Sequence, residues 1–518
     1  MALDYASLPN DPEELKQQLL KHAAWVEQLK AEVLRLRRWR FGRSAEALDP
    51  SVAPELPLAT VEKNAPSNTT SSDAAPILRL MSVDAPHQKH LSRRRPRELP
   101  AELPRVTEVH EPTSCTCPEC GGALRRLGED ASEQLDYVPG YFRVIRHVRP
   151  KLSCRDCSQV VQAAAPSRPI ERGLPTASLL AQVISAKYAD HCPLYRQEGI
   201  YRRSGVELPR SMLASWVADG AQLLDPLVGV LERYVLAAGK LHADDTTVPV
   251  LAPGKGRTRT GRLWVYVRDD RPAGSRDPPA VVYRYSPDRK AERPQSHLAS
   301  FKGTLQADAY SGFGSLYAKG RVQEAACWAH ARRKYYDVYA TDRRSEAAAE
   351  ALQRIGRLYA IERAIRGQPP AARAIARRTL STPILEELHV WLRTTHETLS
   401  VKSPLARAIQ YTLTRWTALT RYVDDGRIEI DNNAAERAIR ALVLGRRNYL
   451  FAGSDAGGET AARLYSLIGT CRLNGLDPHS YLRHVLERIA THPINRLEEL
   501  LPWRLADQLQ GVALPSAA

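Results

Sequence analysis

The chain has 518 residues and carries a formal charge of +16, from 74 Lys and Arg against 58 Asp and Glu. That length is too great for one hydrophobic core, so several domains are expected, and the basic balance points to a polyanionic partner, nucleic acid first. No run of about 18 apolar residues is present, which excludes a membrane-spanning helix and a membrane partner, and the N-terminus lacks a signal-peptide pattern, so a cytoplasmic, nucleoid-associated setting is expected.

Residues 13–40 read as a helix. Leu15, Leu19, His22, Val26, Leu29, Val33 and Leu36 recur at alternating spacings of four and three, a heptad seam with one polar member. Residues 1–48 are therefore taken as a leucine-zipper-like helix, basic at its end, and a homo-oligomer is expected. Residues 49–105, rich in Pro, Ser, Ala and Thr, read as a flexible linker ending in the basic run Arg93–Arg97.

Residues 106–165 carry Cys117-Pro-Glu-Cys120-Gly-Gly and Cys154-Arg-Asp-Cys157, with strand-like text at 141–148 between them. Two CxxC knuckles joined by strands describe a zinc ribbon, with Cys117, Cys120, Cys154 and Cys157 as thiolate ligands of one structural Zn²⁺. Cys115 competes with Cys117, but the Cys117–Cys120 pair has the better spacing. Residues 170–237 read as helical. Thr176 opens one helix, Pro193 a second, and the turn Ser204–Pro209 leads to a third that Ser211 is placed to cap. This order suits a helix-turn-helix DNA reader, with Arg210 and Ser211 at the reading end.

From Lys240 the period changes. Strands are expected at 240–243, 263–268, 280–285, 303–307 and 322–327, with short helices at 291–300 and 310–318 and a helix from about His330. Three closely connected strands followed by helix–strand alternation describe a mixed α/β sheet, matching the order of a ribonuclease-H-like core over 238–340. An Arg-rich helical insertion follows over 341–425. The core resumes over 426–475, and 476–518 is a C-terminal helical segment. The whole is a multidomain α/β chain.

Three carboxylates carry the chemistry. Asp244 and Asp308 each follow a predicted strand, where open α/β sheets place their sites, and Glu436 opens a helix in Ile430-Asp-Asn-Asn-Ala-Ala-Glu436-Arg437. Carboxylates from separate segments that meet at one point suit two Mg²⁺ (or Mn²⁺) ions and in-line phosphoryl transfer. Each has a plainer role open to it. The aspartates terminate strands or cap turns, Asn433-x-x-Glu436 is a capping-box pattern, and Arg440 lies four residues beyond Glu436, the spacing of a surface ion pair. Arg332, Arg333, Lys334, Arg437 and Arg440 are the nearby cations expected to contact DNA phosphates.

These motifs resemble the transposases of the insertion sequence 66 family. The resemblance rests on Arg40-Phe-Gly-Arg-Ser-Ala-Glu46, the ribbon motif at Cys117, Pro193-Leu-Tyr-Arg-Gln-Glu198, Ala243-Asp-Asp-Thr246, Cys327-Trp-Ala-His-Ala-Arg-Arg-Lys334, Ile430–Arg440, Phe451-Ala-Gly-Ser454 and Leu500-Leu-Pro-Trp503. It implies a DDE transposase acting on double-stranded DNA, both element ends and target. It further implies binding of terminal inverted repeats, multimeric action and two small accessory proteins. Asp244, Asp308 and Glu436 take the catalytic positions. The residue after the first aspartate is usually Glu in that family and is Asp245 here, which leaves the choice between Asp244 and Asp245 open. The competing readings are a non-catalytic sequence-specific DNA-binding protein and a structure-selective nuclease.

Overall fold

The computed structural model describes residues 173–510 without a break, together with 167–171, 151–153, 160–162, 142–145, Gly140 and Asp11. The heptad seam, the linker and the four ribbon cysteines lie outside the described residues. Strand β1 (Lys151–Ser153) pairs antiparallel with β2 (Val160–Gln162), Ser153 opposite Val160, so Cys154 and Cys157 fall in sequence between two paired strands. Residues 142–145, inside the expected strand at 141–148, belong to no strand.

Four helices follow: α1 (Ala177–Tyr188), α2 (Leu194–Arg203), α3 (Arg210–Leu223) and α4 (Asp225–Leu236). The Thr176 hydroxyl caps α1 by accepting the Leu179 N–H at 3.2 Å. Leu180, Ile184, Leu213, Leu227 and Leu231 are fully buried and form the core of this helical region. One expectation is corrected. Ser211 does not cap α3; the N-cap position is Pro209, whose fixed backbone starts the helix without a side-chain bond. Gly205, at φ +81°, supplies the left-handed turn between α2 and α3.

The central sheet has five strands in the order β5-β4-β3-β6-β7. These are β3 (Lys240–Ala252), β4 (Arg257–Arg268), β5 (Ala280–Ser286), β6 (Gly303–Ala307) and β7 (Val322–Ala325). β3 pairs antiparallel with β4, and β4 with β5, whereas β3–β6 and β6–β7 are parallel. The expected mixed sheet is present, but two strands are much longer than their hydrophobic text. β3 was expected to stop at residue 243, and it runs through Asp244-Asp245-Thr246-Thr247 because β4 pairs with it out to Ala252 opposite Arg257. Asp244 is therefore a mid-strand residue, not one beyond a strand end. Its position still marks an end, since the parallel pairing of β3 with β6 stops at Ala243 opposite Ala307.

Helices α5 (Glu292–His297) and α6 (Gly314–Ala318) bracket β6, and α7 (Trp328–Thr341) follows β7. The insertion is helical as expected: α8 (Glu346–Ala364), α9 (Pro370–Glu397), α10 (Pro404–Thr414) and α11 (Trp416–Thr420). It shares one apolar core with α7, in which Trp328, Tyr335, Leu352, Ile355, Leu388 and Ile409 are buried. The chain then returns to the sheet through α12 (Asn433–Tyr449) and α13 (Asp455–Leu473), and ends in α14 (Pro478–Arg488), short 3₁₀ turns and α15 (Ala506–Gln510). α13 lies along the outer strand β5. The Val281 N–H donates to Thr470 Oγ1 at 3.1 Å, and the Tyr283 N–H to Ser466 Oγ at 2.8 Å. An edge that would otherwise template a foreign strand is thereby closed.

A buried charge cluster joins the insertion to the segment before α12. The Arg377 guanidinium meets Glu362 at 2.6 Å and the carbonyls of Tyr422 and Ile428 at 2.7 and 2.9 Å. Arg373 meets Glu429 at 2.8 Å and the Gly426 carbonyl at 2.7 Å. Both arginine side chains are at most 1% exposed. Arg377→Ala leaves Glu362 buried beside a single remaining partner, and it is expected to lower unfolding stability by about 3–5 kcal/mol, the usual cost of breaking a buried pair. Urea unfolding followed by circular dichroism measures this; a loss below about 1 kcal/mol would show that the cluster is solvated.

Candidate active site

The three carboxylates come from β3, the end of β6 and the first turn of α12. Parallel pairing sets β6 beside β3, and both strands hand over to Asp244 and Asp308 at the same level of the sheet. Glu436 is brought to them by the residue that opens its helix. Asn432 is fully buried. Its Nδ2 donates to the Ala243 carbonyl at 2.8 Å, next to Asp244, and its Oδ1 faces His242 Nδ1 at 3.0 Å. Its backbone N–H donates to Cys327 Sγ at 3.2 Å. Because the amide nitrogen is spent on Ala243, Oδ1 must accept, so Nδ1 of His242 carries the proton. Burial, with Lys240 nearby, pushes this imidazole down to about 3, so it is neutral.

The plainer roles for Glu436 are not realised. Asn433 already lies inside α12, and its side chain bonds Asp431 at 2.7 Å, so no capping box forms. Among the described residues no ion pair joins Arg440 to Glu436; its Oε1 lies instead 3.9 Å from His330 Nδ1.

Asp244 and Asp245 differ sharply. Alternation along β3 sends their side chains to opposite faces. The Asp245 carboxylate is 2% exposed and saturated by guanidinium groups, Arg262 at 2.8 Å and Arg289 at 2.7 Å. Asp244 has no such cation. Its proton affinity is raised to about 7, first by partial burial and then by the charges of Asp308, Asp245 and Glu436, against a lowering bond from the Asp245 N–H. Asp308 is partly exposed and faces Arg289 at 3.8 Å.

A cleft of about 600 Å³ opens beside Asp308. Arg289, Tyr310, His330, Arg333 and Lys334 line it. Arg333, Lys334, Arg437 and Arg440 are exposed, as phosphate contacts require. Arg332 is a correction: it is 3% exposed and lies within the fold, because its place on α7 faces the sheet and insertion core. Arg210 and Ser211 are exposed at the N-terminus of α3. Sequence reasoning missed Asn432, His242 and Arg289. The first was visible as an Asn-Asn pair ahead of Glu436; the other two had no local signal, since their roles arise from contacts across about 190 and 44 residues of chain.

Family models match nearly the whole chain. The model described as Transposase IS66 family matches residues 172–460, more than half of the chain. The chain belongs to the IS66 transposase family. The IS66 C-terminal element matches 466–503, the zinc-finger binding domain of transposase IS66 matches 114–158, and a model described as Transposase C of IS166 homeodomain matches 28–107. Among similar proteins of Sinorhizobium fredii, "Uncharacterized protein y4hP" is 41% identical over 497 residues, covering 92% of this chain and 88% of that one. "Uncharacterized protein y4jD" is 38% identical over 523 residues, covering 99% and 100%. The zinc-finger match contains all four predicted ribbon cysteines and implies zinc binding. The DDE-type match contains Asp244, Asp308 and Glu436 and implies a divalent cation. No described helix of this IS66-family chain is long and apolar enough to cross a membrane.

The raised proton affinity of Asp244 has a measurable consequence. Its folded-state value near 7 lies above the ordinary 3.8, so between those values the native state holds a proton that the unfolded state has released. Stability from this group therefore falls as pH rises from about 4 to 7. In Mg²⁺-free buffer, Asp244→Asn is expected to melt above the unmodified protein at pH 8 and to converge with it near pH 4. Parallel melting curves at both pH values would refute the shift.

Proposed function

We propose that this chain cleaves and rejoins DNA at the ends of its own element, with Asp244, Asp308 and Glu436 holding two Mg²⁺ (or Mn²⁺) ions. The observation that carries the reading is geometric: Asp244 and Asp308 leave adjacent parallel strands at one level, Asn432 ties the start of the Glu436 helix to Ala243, and a cationic cleft opens beside Asp308. The sheet order, three antiparallel strands followed by two parallel ones, supports a ribonuclease-H-like core. The donor set fits the ions. All three groups supply hard oxygen ligands, which suit Mg²⁺, and Asp244, unlike Asp245, has no guanidinium partner. The three carboxylates do not close to within 4.8 Å of one another. When bound, such ions supply an activated water or DNA hydroxyl and stabilise the leaving oxygen.

The chain's own residues do the rest. Asn432 fixes the start of α12 against Ala243, so the first and third carboxylates are held to one frame. Asp245, neutralised by Arg262 and Arg289, positions Arg289 toward Asp308 and the cleft. Arg289, Arg333 and Lys334 line the cleft as phosphate contacts, with Arg437 and Arg440 along α12. Arg210 and Ser211 at the exposed start of α3 suit base and phosphate contact in the element end. Binding of the inverted repeats, self-association through the heptad helix and the two accessory proteins belong to the same proposal. The DNA-binding types of the matched N-terminal domains support it.

Asp244→Asn, Asp308→Asn and Glu436→Gln should each reduce Mg²⁺-dependent cleavage of element-end DNA by about 10³-fold or more, with end binding retained in a gel-shift assay. Full cleavage by all three would leave a DNA-binding protein only. Asp245→Asn tests the division of labour. It should lower cleavage less than Asp244→Asn does and lower the melting temperature, because it unpairs two guanidinium groups. The opposite ranking would make Asp245 the ligand. Joining of a pre-cut end separates a transposase from a structure-selective nuclease.

A further inference from the structure

We infer that Cys327, His330 and Glu436 form a second cation site, selective for Zn²⁺ over Mg²⁺, whose occupancy withdraws Glu436 from the carboxylate set. The inference rests on the proposed role of Glu436. Among the described residues these are the ones whose His, Cys, Asp or Glu ligand atoms come together as a group of three, all within 4.8 Å of one another. Cys327 is the N-cap of α7 and His330 lies three residues on, so both side chains share one helix face. Glu436 enters from the first turn of α12.

Two further observations point to a ligand. His330 Nδ1 is shut off from solvent and makes no hydrogen bond, an orphaned lone pair or N–H that faces Glu436 Oε1 at 3.9 Å. Native structures rarely leave such an atom unmatched. Cys327 Sγ accepts the Asn432 N–H at 3.2 Å, so the sulfur already turns a lone pair to a donor, although burial and the charges of Asp431 and Glu436 keep the metal-free thiol protonated. Tetrahedral zinc with S, N and O ligands needs ligand atoms about 3.3–3.8 Å apart, which a small movement of the half-exposed Glu436 side chain provides. A thiolate and an imidazole select zinc, while Asp244 and Asp308 keep only hard oxygen donors for Mg²⁺. On binding, the Cys327 thiol proton leaves to water as the metal–sulfur bond forms. Turning Oε1 of Glu436 onto zinc draws its carboxylate toward Cys327 and His330, so zinc is an inhibitor of the Mg²⁺ reaction.

The test uses the full chain with its ribbon zinc in place. Zn²⁺ is titrated in against a chromophoric chelator, and Co²⁺ is used separately for its thiolate charge-transfer band. One further equivalent of Zn²⁺ per chain is expected. His330→Gln, which alters a partly exposed residue, should weaken that equivalent by roughly 100-fold or more. Cys327→Ala should also remove the additional Co²⁺ band, and Asp308→Asn should change neither. Absence of a further equivalent in the unmodified chain overturns the site, as does its persistence in His330→Gln or its loss in Asp308→Asn. Failure of the catalytic reading would appear elsewhere, as DNA cleavage that survives Asp308→Asn, with the zinc titration unaltered.

Discussion

A single buried amide holds the proposed active site together. Asn432 reaches the Ala243 carbonyl and His242 on β3 with its side chain, and Cys327 at the start of α7 with its backbone N–H. The three elements it ties together, β3, α7 and its own α12, are separated by long stretches of sequence, including the whole helical insertion. No apolar contact could fix their relative rotation as tightly, because hydrophobic packing is non-directional. Each bond is made in a fully buried setting, where an unsatisfied amide would cost about 1–3 kcal/mol. The neutral His242 completes the arrangement. A charged imidazole would need a counter-ion where the protein offers an amide oxygen.

Charge is distributed around this frame with a consistent sign. The face of β3 that carries Asp245 is neutralised within the protein by Arg262 and Arg289. The face that carries Asp244 is not, and partial burial, with the like charges of Asp308, Asp245 and Glu436 added to it, raises its proton affinity. A fold optimised for stability alone would pair Asp244 as it pairs Asp245. Under the proposed function, the divalent cations would supply the positive charge that the protein does not place beside Asp244. Among the described cations with no carboxylate partner, Arg333 and Lys334 stand on the cleft wall, where a phosphodiester would need them.

Much of this was legible in the sequence, for identifiable reasons. The strand at 303–307 was read to the residue, because β6 is short, opens at Gly303 and stops just before Asp308. The insertion was legible as helical because α8 and α10 keep a clear apolar periodicity. β3 and β4 were read too short. Their outer halves are polar and pair only with each other, so nothing local distinguishes Asp244-Asp245-Thr246-Thr247 in a strand from the same text in a loop. Arg332 was grouped with its neighbours Arg333 and Lys334, yet helical rotation turns it inward while they face the cleft. The choice between Asp244 and Asp245 was closed to sequence reasoning, since it depends on Arg289, which reaches Asp245 from 44 residues away.

The insertion raises a physical question, since some 85 residues of extra helix separate the second carboxylate from the third. Loop closure of that length costs little, because the entropy grows only logarithmically. The difficulty is positional: a long detour must deliver Glu436 to within an ångström or so. The buried cluster answers it. Arg373 and Arg377 project from α9 inside the insertion and grip the carbonyls of Tyr422, Gly426 and Ile428 and the Glu429 carboxylate, the segment that leads into Asn432. On the other side, Gln306 at the end of β6 bonds the backbone of Glu429, two residues before Asp308 in its own strand. The return path is thus clamped between the insertion and the strand that presents the second carboxylate. Buried ion pairs add little net stability, but their fixed hydrogen-bond geometry specifies position. The insertion is therefore part of the scaffold of the site, and its arginines carry to Glu436 the constraint that the sheet alone supplies to Asp244 and Asp308.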